Sequence, residues 1–177
     1  MKTIFKIKTV LLGFILLSSC TTQNLEKSAV VEALLQKSEF TFMAEHANPS
    51  NLDVVNVINS IPGGSSSRML NLDSGYNIEI RADELEVTLP YFGRMYTENL
   101  DPSKNSYRFT TNDFTVDKKE GKKGSTVFTI VANDQQNIRS INMEVFKNGK
   151  TYVWIDSNDR QPISYDGYIT ANSVRKK

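Results

Sequence analysis

Alternation of apolar and polar residues with a period of two is the dominant pattern of the chain, and it predicts β-strands. It is clearest in residues 76–81 and 85–89, which the short polar segment 82–84 separates. Two such segments predict an antiparallel hairpin with one solvated face. Pro90 ends the second strand because proline cannot donate to a sheet ladder.

A second hairpin is predicted around Asn148 and Gly149, since both residues suit the positive φ angles of a tight primed turn. A two-residue loop would pair Phe146 with Thr151 and give the hairpin one apolar face. The residues expected on that face are Ile141, Met143, Val145, Tyr152 and Trp154.

Further strands are predicted from shorter β-rich segments. They lie at residues 40–44, 107–109, 114–116, 126–132 and within 161–169. The almost continuous apolar and β-branched run at 126–132 predicts a central strand covered on both sides. Residues 117–124 are predicted to form a charged loop.

Residues 25–37 have apolar positions at spacings of three and four, which predicts an amphipathic helix capped by Asn24 or Thr22. Its polar face is not enriched in Lys or Arg, so we expect it to pack on the sheet rather than lie on a membrane. Residues 48–67 are expected to be a loose connection with one short apolar piece at 54–58. Its Gly-Ser run lacks the spacing of a phosphate-binding loop.

These patterns together predict a mostly β (α+β) fold. We expect an antiparallel sheet of about eight strands with one N-terminal helix packed on it. The single globular domain spans residues 25–171, and a polar tail follows at 172–177.

The first 20 residues have the order of a secretory signal: lysines, then an apolar run, then small residues ending at Cys20. The sequence Leu-Ser-Ser-Cys at 17–20 resembles the lipobox of bacterial lipoproteins. That resemblance implies that residues 1–19 are removed, that Cys20 is lipidated, and that residues 20–24 form the anchor and spacer. The alternative is an ordinary signal peptide followed by an unmodified cysteine.

The charge balance limits the classes of partner. The chain has 21 Lys and Arg and 20 Asp and Glu, and the three lysines of the signal leave 18 basic residues in the mature protein. A nearly neutral balance argues against a nucleic-acid partner and against a polybasic membrane patch. Membrane attachment is then expected through lipid on Cys20, which is the only cysteine.

Few residues are suited to catalysis or metal binding. His46 is the only histidine, so a Ser-His or Cys-His catalytic pair would require it, and zinc or copper lacks a ligand set. The acids near Asp156 lack the glycine and distal glutamate of a calcium loop. We therefore expect no metal and no cofactor, and a protein that is not an enzyme.

Two polar-aromatic clusters at strand ends are the candidate binding residues. Each places an arginine beside tyrosines, which suits the binding of a carboxylate, a phosphate or a sugar ring. In the alternative interpretation, which we prefer, the arginines satisfy chain carbonyls or a carboxylate and the tyrosines close the edge of the core. The residues are Tyr91, Arg94 and Tyr96 in the first cluster, and Asn158, Arg160 and Tyr165 in the second.

The same clusters carry a family resemblance. Residues 89–96 (LPYFGRMY), the Asn148-Gly149 turn and residues 157–167 (SNDRQPISYDG) resemble the Domain of Unknown Function 4251 family, over about residues 40–169. That family occurs in lipoproteins and secreted proteins of Bacteroidota, which implies a mostly β envelope domain and no particular activity. Residues 48–67 are longer than the family's usual link, and residues 99–106 lack its frequent glycines.

The sequence thus favours a lipid-anchored envelope protein that acts as a non-enzymatic binding or interaction module. We expect it at the outer membrane facing the periplasm, with the cell surface as the alternative. Its expected partner is a protein or a small anionic or sugar-like ligand, besides the membrane. The alternative functions are a carboxylate-based periplasmic hydrolase and a structural partner in an envelope assembly.

Overall fold

A computed structural model describes residues 19–96 and 106–174, which form an antiparallel sheet with three α-helices. The helices are α1 (Ser19–Lys37), α2 (Leu52–Ser60) and α3 (Ser66–Met69). The strands are β1 (Phe40–Pro49), β2 (Asn77–Ile80), β3 (Leu85–Pro90), β4 (Ser106–Thr111), β5 (Phe114–Glu120), β6 (Thr126–Ala132), β7 (Ile138–Val145), β8 (Lys150–Ser157) and β9 (Ile163–Thr170). The predicted mostly β class is confirmed, and so is the N-terminal helix.

The sheet curls back on itself until it is nearly closed. Its order is β4-β3-β2-β1-β9-β8-β7-β6-β5, with every neighbouring pair antiparallel. The two edge strands, β4 and β5, therefore run in the same direction, and only Asn112 and Asp113 separate them in the chain. They amount to one bent strand, whose first half pairs with β3 and whose second half pairs with β6. The described residues contain nine strands, where about eight are expected.

The inner face of the curled sheet holds the core. The rings of Phe40 on β1 and Phe128 on β6 are 5.2 Å apart, although three strands separate β1 from β6 in the sheet. Inward positions alternate with outward ones along each strand, as the period of two requires. The largest fully buried side chains are Tyr165, Phe40, Phe42, Phe128, Ile78, Ile80, Leu85, Leu89, Ile130, Ile141, Met143 and Ile155.

Helix α1 covers one end of the sheet, which we call the helix end. Val31 is buried against Gly149 at the tip of the β7–β8 hairpin, and Lys118 Nζ on β5 donates a 2.7 Å hydrogen bond to the carbonyl of Leu35. The predicted packing of this helix on the sheet is confirmed. The predicted caps are wrong, because α1 begins at Ser19 and includes Asn24 and Thr22.

The loop of the β7–β8 hairpin is longer than predicted. Gly149 N donates a 2.8 Å hydrogen bond to Phe146 O, and Phe146 N donates a 2.9 Å bond to Lys150 O. Gly149 has a φ of 83°, whereas Asn148 does not have a positive φ. The connection is therefore a turn followed by a glycine bulge, not a two-residue primed turn.

The bulge moves the register of the hairpin by one residue. Val145 pairs with Thr151, where the shorter loop would have paired Phe146 with that residue. A shift of one residue exchanges the two faces of a strand. The predicted apolar face is therefore wrong for β8: Val153 and Ile155 are buried, whereas Tyr152 and Trp154 face outward and stack on each other.

Residues 48–67 contain a helix that was not predicted. Asn51 caps α2 by accepting a 2.8 Å hydrogen bond from Asp53 N at its side-chain oxygen. Ile58 is the buried residue of α2, and α3 follows after the Gly63-Gly64 turn. The expectation of a loose connection here is wrong because a good N-cap and apolar residues three and four apart favour a helix even in a short segment.

Two further predictions fail in the β5–β6 region. Residues 117–120 belong to strand β5 rather than to a loop, since charged side chains are well tolerated on an exposed edge strand. Strand β6 is not covered on both sides, because Phe128 and Ile130 are buried while the intervening Thr129 is only partly covered.

Candidate functional site

The two polar-aromatic clusters meet at the end of the sheet opposite α1, which we call the distal end. Met95 and Arg160 form an isolated antiparallel bridge. Tyr96 N donates a 2.8 Å hydrogen bond to Asp159 O, and Gln161 N donates a 3.1 Å bond to Arg94 O. A short ladder therefore joins the segment that follows β3 to the segment between β8 and β9.

Arg160 lies at the centre of this junction and is 6% exposed. Its guanidinium carbon is 5.0 Å from the ring centre of Tyr91 and 4.9 Å from that of Tyr107. Its Nε and Nη2 donate hydrogen bonds of 3.0 and 2.8 Å to the two carboxylate oxygens of Asp159. The charge is thus neutralised by a bidentate pair and enclosed by two aromatic rings.

Three tyrosine hydroxyls tie the surrounding strands together. Tyr165 Oη donates a 2.6 Å hydrogen bond to the carbonyl of Pro90, which links β9 to the end of β3. Tyr107 Oη lies 3.0 Å from Ser157 Oγ. Tyr91 Oη lies 2.9 Å from the carbonyl of Arg94 and 3.1 Å from that of Gln161, so it shares its proton between both sides of the ladder.

Burial sets the acid–base properties of these groups. It raises the pKa of Tyr91 to about 12, although the nearby Arg160 charge acts in the opposite direction. Burial likewise raises the pKa of Tyr107 to about 12, against the effect of its hydrogen bond with Ser157. Burial alone would lower the pKa of the Arg160 guanidinium, but the bonds to Asp159 outweigh it and raise that pKa. The tyrosines are therefore neutral, and the arginine is charged, at physiological pH.

This geometry favours the structural interpretation of the second arginine. Arg160 is enclosed by Asp159, Tyr91 and Tyr107, so its described contacts are all within the protein. Arg94, in contrast, is exposed. The two arginines lie on joined segments, but their side chains do not form one clamp.

The remaining predicted site residues are divided between core and surface. Tyr165 is fully buried, whereas Tyr96 is 62% exposed. Asn158 turns toward the β6–β7 connection, where its side chain accepts a hydrogen bond from Arg139 and donates a 3.1 Å bond to the carbonyl of Gln136. Among the six candidates, only Tyr91, Arg160 and Tyr165 lie together in the buried junction.

A surface groove of about 380 Å³ lies beside this junction. Helix α2 forms one wall, and the Phe92-Gly93-Arg94 segment forms the other. A side chain at Gly93 would displace the hydroxyl of Tyr91 from its hydrogen bonds to the carbonyls of Arg94 and Gln161. The residues lining the groove are Asn51, Asp53, Val54, Val57, Ile58, Met69, Phe92, Gly93 and Arg94.

Of the groove residues, Arg94 is a predicted site residue, and Phe92 and Gly93 lie in the same polar-aromatic cluster. The lining residues of α2 are not predicted because residues 52–60 are expected to be part of a loose connection and not a helix. The signal that could have revealed the groove wall is the sequence Asn51-Leu52-Asp53, an N-cap followed by an acid in the first turn.

The other concave surface and the single histidine of the described residues have fewer features of a binding or catalytic site. A second concave surface of about 270 Å³ lies on the outer face of β3 and β4 and includes Glu86 and Arg108. His46 is partly buried, and its Nδ1 lies 2.7 Å from Asn71 Oδ1. No group of three or more His, Cys, Asp or Glu side chains in residues 19–96 and 106–174 could hold a metal ion. The glycine-poor segment 99–106 lies outside the described residues except for Ser106.

Comparisons with known proteins identify a family for this chain but no activity. A family model described as "Domain of unknown function (DUF4251)" matches residues 22–169, which include most of α1 and nearly the entire sheet. No curated protein matches the sequence. Within the part of the chain that the structure covers, no helix has the length and apolar character needed to cross a membrane.

Proposed function

The chain belongs to the DUF4251 family, and we propose that it is a lipid-anchored, non-enzymatic binding module of the bacterial envelope. In this proposal, its distal groove binds an apolar segment of a partner protein that carries an acidic group. The observation that supports this most is the combination of an apolar groove with an exposed arginine at its wall.

The apolar character of the groove favours a protein segment over a small polar ligand. Val57 and Met69 line the groove and are 61% and 47% exposed, and the 50% exposed Ile61 follows α2 directly. Clustered exposed apolar side chains typically mark sites of protein association. The exposed groove wall would give such a segment a surface on which to bury its own apolar side chains.

The charge of Arg94 supports an acidic group in the bound segment. Arg94 forms no ion pair with another described residue, whereas Arg160 is already paired with Asp159. A guanidinium suits bidentate binding of a carboxylate. Asp53 at the other wall would disfavour a second acid, so a segment with one acid beside apolar side chains fits best.

The resemblance of residues 17–20 to a lipobox supports a location at the membrane, with the outer membrane facing the periplasm as the preferred site and the cell surface as the alternative. Helix α1, which contains Cys20, covers the opposite end of the sheet from the groove. A protein attached through Cys20 would therefore present the groove away from the bilayer.

The carboxylate-based hydrolase has less support. Glycoside hydrolysis by two carboxylates requires them to face each other across one cavity at about 5 to 10 Å. Of the two concave surfaces described above, one contains Asp53 and the other contains Glu86 as its single acid.

Selection from a displayed library of short random peptides tests the proposed binding. The wild-type protein should enrich peptides with one acid next to apolar residues. Arg94→Glu should reverse the preference to basic peptides, and Val57→Asp on the exposed wall should abolish enrichment. Arg68→Glu, at an exposed position that does not line the groove, is the matched control and should behave like the wild type. Enrichment of the same peptides by Arg94→Glu would contradict the proposal.

A further inference from the structure

The helix end of the sheet carries a concentration of lysines that the nearly neutral composition conceals. The β5–β6 connection at 121–124 and the β7–β8 loop with its first strand residue, 146–150, lie side by side there, since the Lys147 side chain lies over Gly124. Within these two segments there are four lysines and no acid, and we call them the lysine face. They are Lys122, Lys123, Lys147 and Lys150.

The four lysines are exposed, and none forms an ion pair with a described residue. Asp117 is already paired with Lys119, and Glu144 accepts a 2.7 Å hydrogen bond from Ser125 Oγ. Glu120, directly before the first segment, is exposed, so the four lysines outnumber the acids that border the two segments. The lysine face is therefore a patch of positive charge directed toward solvent.

The lysine face also contains one exposed aromatic side chain. Phe146 at the hairpin tip is 39% exposed, directly before Lys147. Basic residues combined with an exposed aromatic ring are typical of surfaces that lie at the boundary between lipid headgroups and acyl chains.

The anchor lies close to the lysine face. Val31 of α1 contacts Gly149 in the same hairpin tip, and Cys20 lies eleven residues earlier in that helix. At 1.5 Å per residue, this places Cys20 about 16 Å along the helix axis from Val31. A lipid attached there would hold the lysine face within reach of the bilayer surface.

We infer that the lysine face docks on anionic phospholipid headgroups and so fixes the orientation of the domain on its membrane. The inference rests on the proposed lipid anchoring, which supplies the proximity. The headgroup phosphates provide the charge complementary to the four ammonium groups, and Phe146 enters the headgroup layer. The distal groove then points away from the bilayer instead of moving freely about the anchor.

A fluorescent reporter at the hairpin tip tests this inference on the full, lipidated protein. With Cys20 acylated, no other cysteine is present, so Phe146→Cys provides a single site for an environment-sensitive dye. The protein is reconstituted in vesicles of phosphatidylcholine alone and in mixed vesicles of phosphatidylcholine and phosphatidylglycerol. Dye at Asn56→Cys, on the exposed side of α2 at the distal end, is the control.

The expected result is a blue shift of the dye at position 146 in the mixed vesicles only, and no shift at position 56. The shift should disappear at about 1 M NaCl, where the Debye length is about 3 Å. Replacing the four lysines by Gln should abolish it, whereas replacing them by Arg should preserve it. Identical spectra in the two kinds of vesicle, or a shift that survives the Gln variant, would overturn the docking. A protein that floats with neither vesicle would instead contradict the lipid anchoring.

Discussion

The guanidinium carbon of Arg160 lies 4.9 Å from the centre of the Tyr107 ring, at the point where the distal loops meet the sheet. Tyr107 belongs to β4, whereas Arg160 lies between β8 and β9. Because β4 and β8 are far apart in the order of the sheet, this contact closes the distal end across the core. Arg160 is therefore a structural residue that supports the groove wall without lining it.

Replacing Arg160 by Ala should destabilise the protein by about 3 kcal/mol, since it leaves a carboxylate without its buried partner and removes the stacking on two rings. Arg160→Lys should recover part of this loss because it keeps the charge but not the bidentate geometry. Urea unfolding followed by far-UV circular dichroism measures both variants. Arg94→Ala is the matched control, and because Arg94 is exposed it should change stability by less than about 0.5 kcal/mol. Equal effects of the two Ala variants would contradict the structural role of Arg160.

Gly149→Ala should destabilise the protein more than Gly63→Ala does. Both glycines have positive φ, 83° and 76°, so each substitution carries a similar backbone cost of about 1 kcal/mol. A methyl group at position 149 would in addition lie 3.1 Å from Val31 Cγ2, whereas position 63 has no atom within 4 Å. The difference in thermal midpoint between the two variants measures how tightly α1 packs on the hairpin. Equal thermal midpoints would mean that α1 moves away from the added methyl group without loss of stability.

Alkaline pH should weaken the fold between pH 10 and pH 12. The folded pKa values of Tyr91 and Tyr107 are about 12, against 10 for an ordinary tyrosine. In this interval the unfolded chain has released these protons while the folded chain still holds them, so stability falls as pH rises. Denaturant midpoints across this range, together with ultraviolet titration of tyrosinate, measure the effect. Ionisation of all tyrosines near pH 10 in the folded protein would contradict the burial of this pair.

Cys20→Ser should eliminate fatty-acid incorporation. Cells expressing the full chain and supplied with an alkyne-tagged fatty acid should label the wild-type protein through the modified cysteine. Ser18→Ala retains the thiol and should still be labelled. Equal labelling of Cys20→Ser, or no labelling of the wild type in a host that lipidates other proteins, would contradict the hypothesis that Cys20 is lipidated.

The sheet was predictable because the alternation of side chains is local information. The β2–β3 hairpin has its predicted turn, and Ile80 pairs with Leu85 directly after it. The strand ends at Pro90, as its missing donor requires. The register of β7 and β8 was not predictable in the same way, because Asn148-Gly149 fits both a two-residue turn and a longer turn with a bulge.

The candidate site was predictable only in part. The sequence identifies the two clusters but not that Arg160 is enclosed while Arg94 is exposed, since burial depends on the curl of the whole sheet. The groove requires α2, whose nine residues are too short to give a strong periodic signal. The lysine face is likewise invisible in the composition, because the fold brings together loops that are over twenty residues apart.

A charge exchange between Arg94 and a bound peptide tests the proposed function most directly. A peptide selected by the wild-type protein is synthesised with its acid and with lysine in its place, and the affinity of each is measured by fluorescence anisotropy for the wild type and for Arg94→Glu. We predict that each single change weakens binding and that the double exchange restores it, with a coupling free energy of about 1 kcal/mol or more. If the free-energy changes of the two single exchanges simply add in the double exchange, the result would contradict recognition of the acid by Arg94.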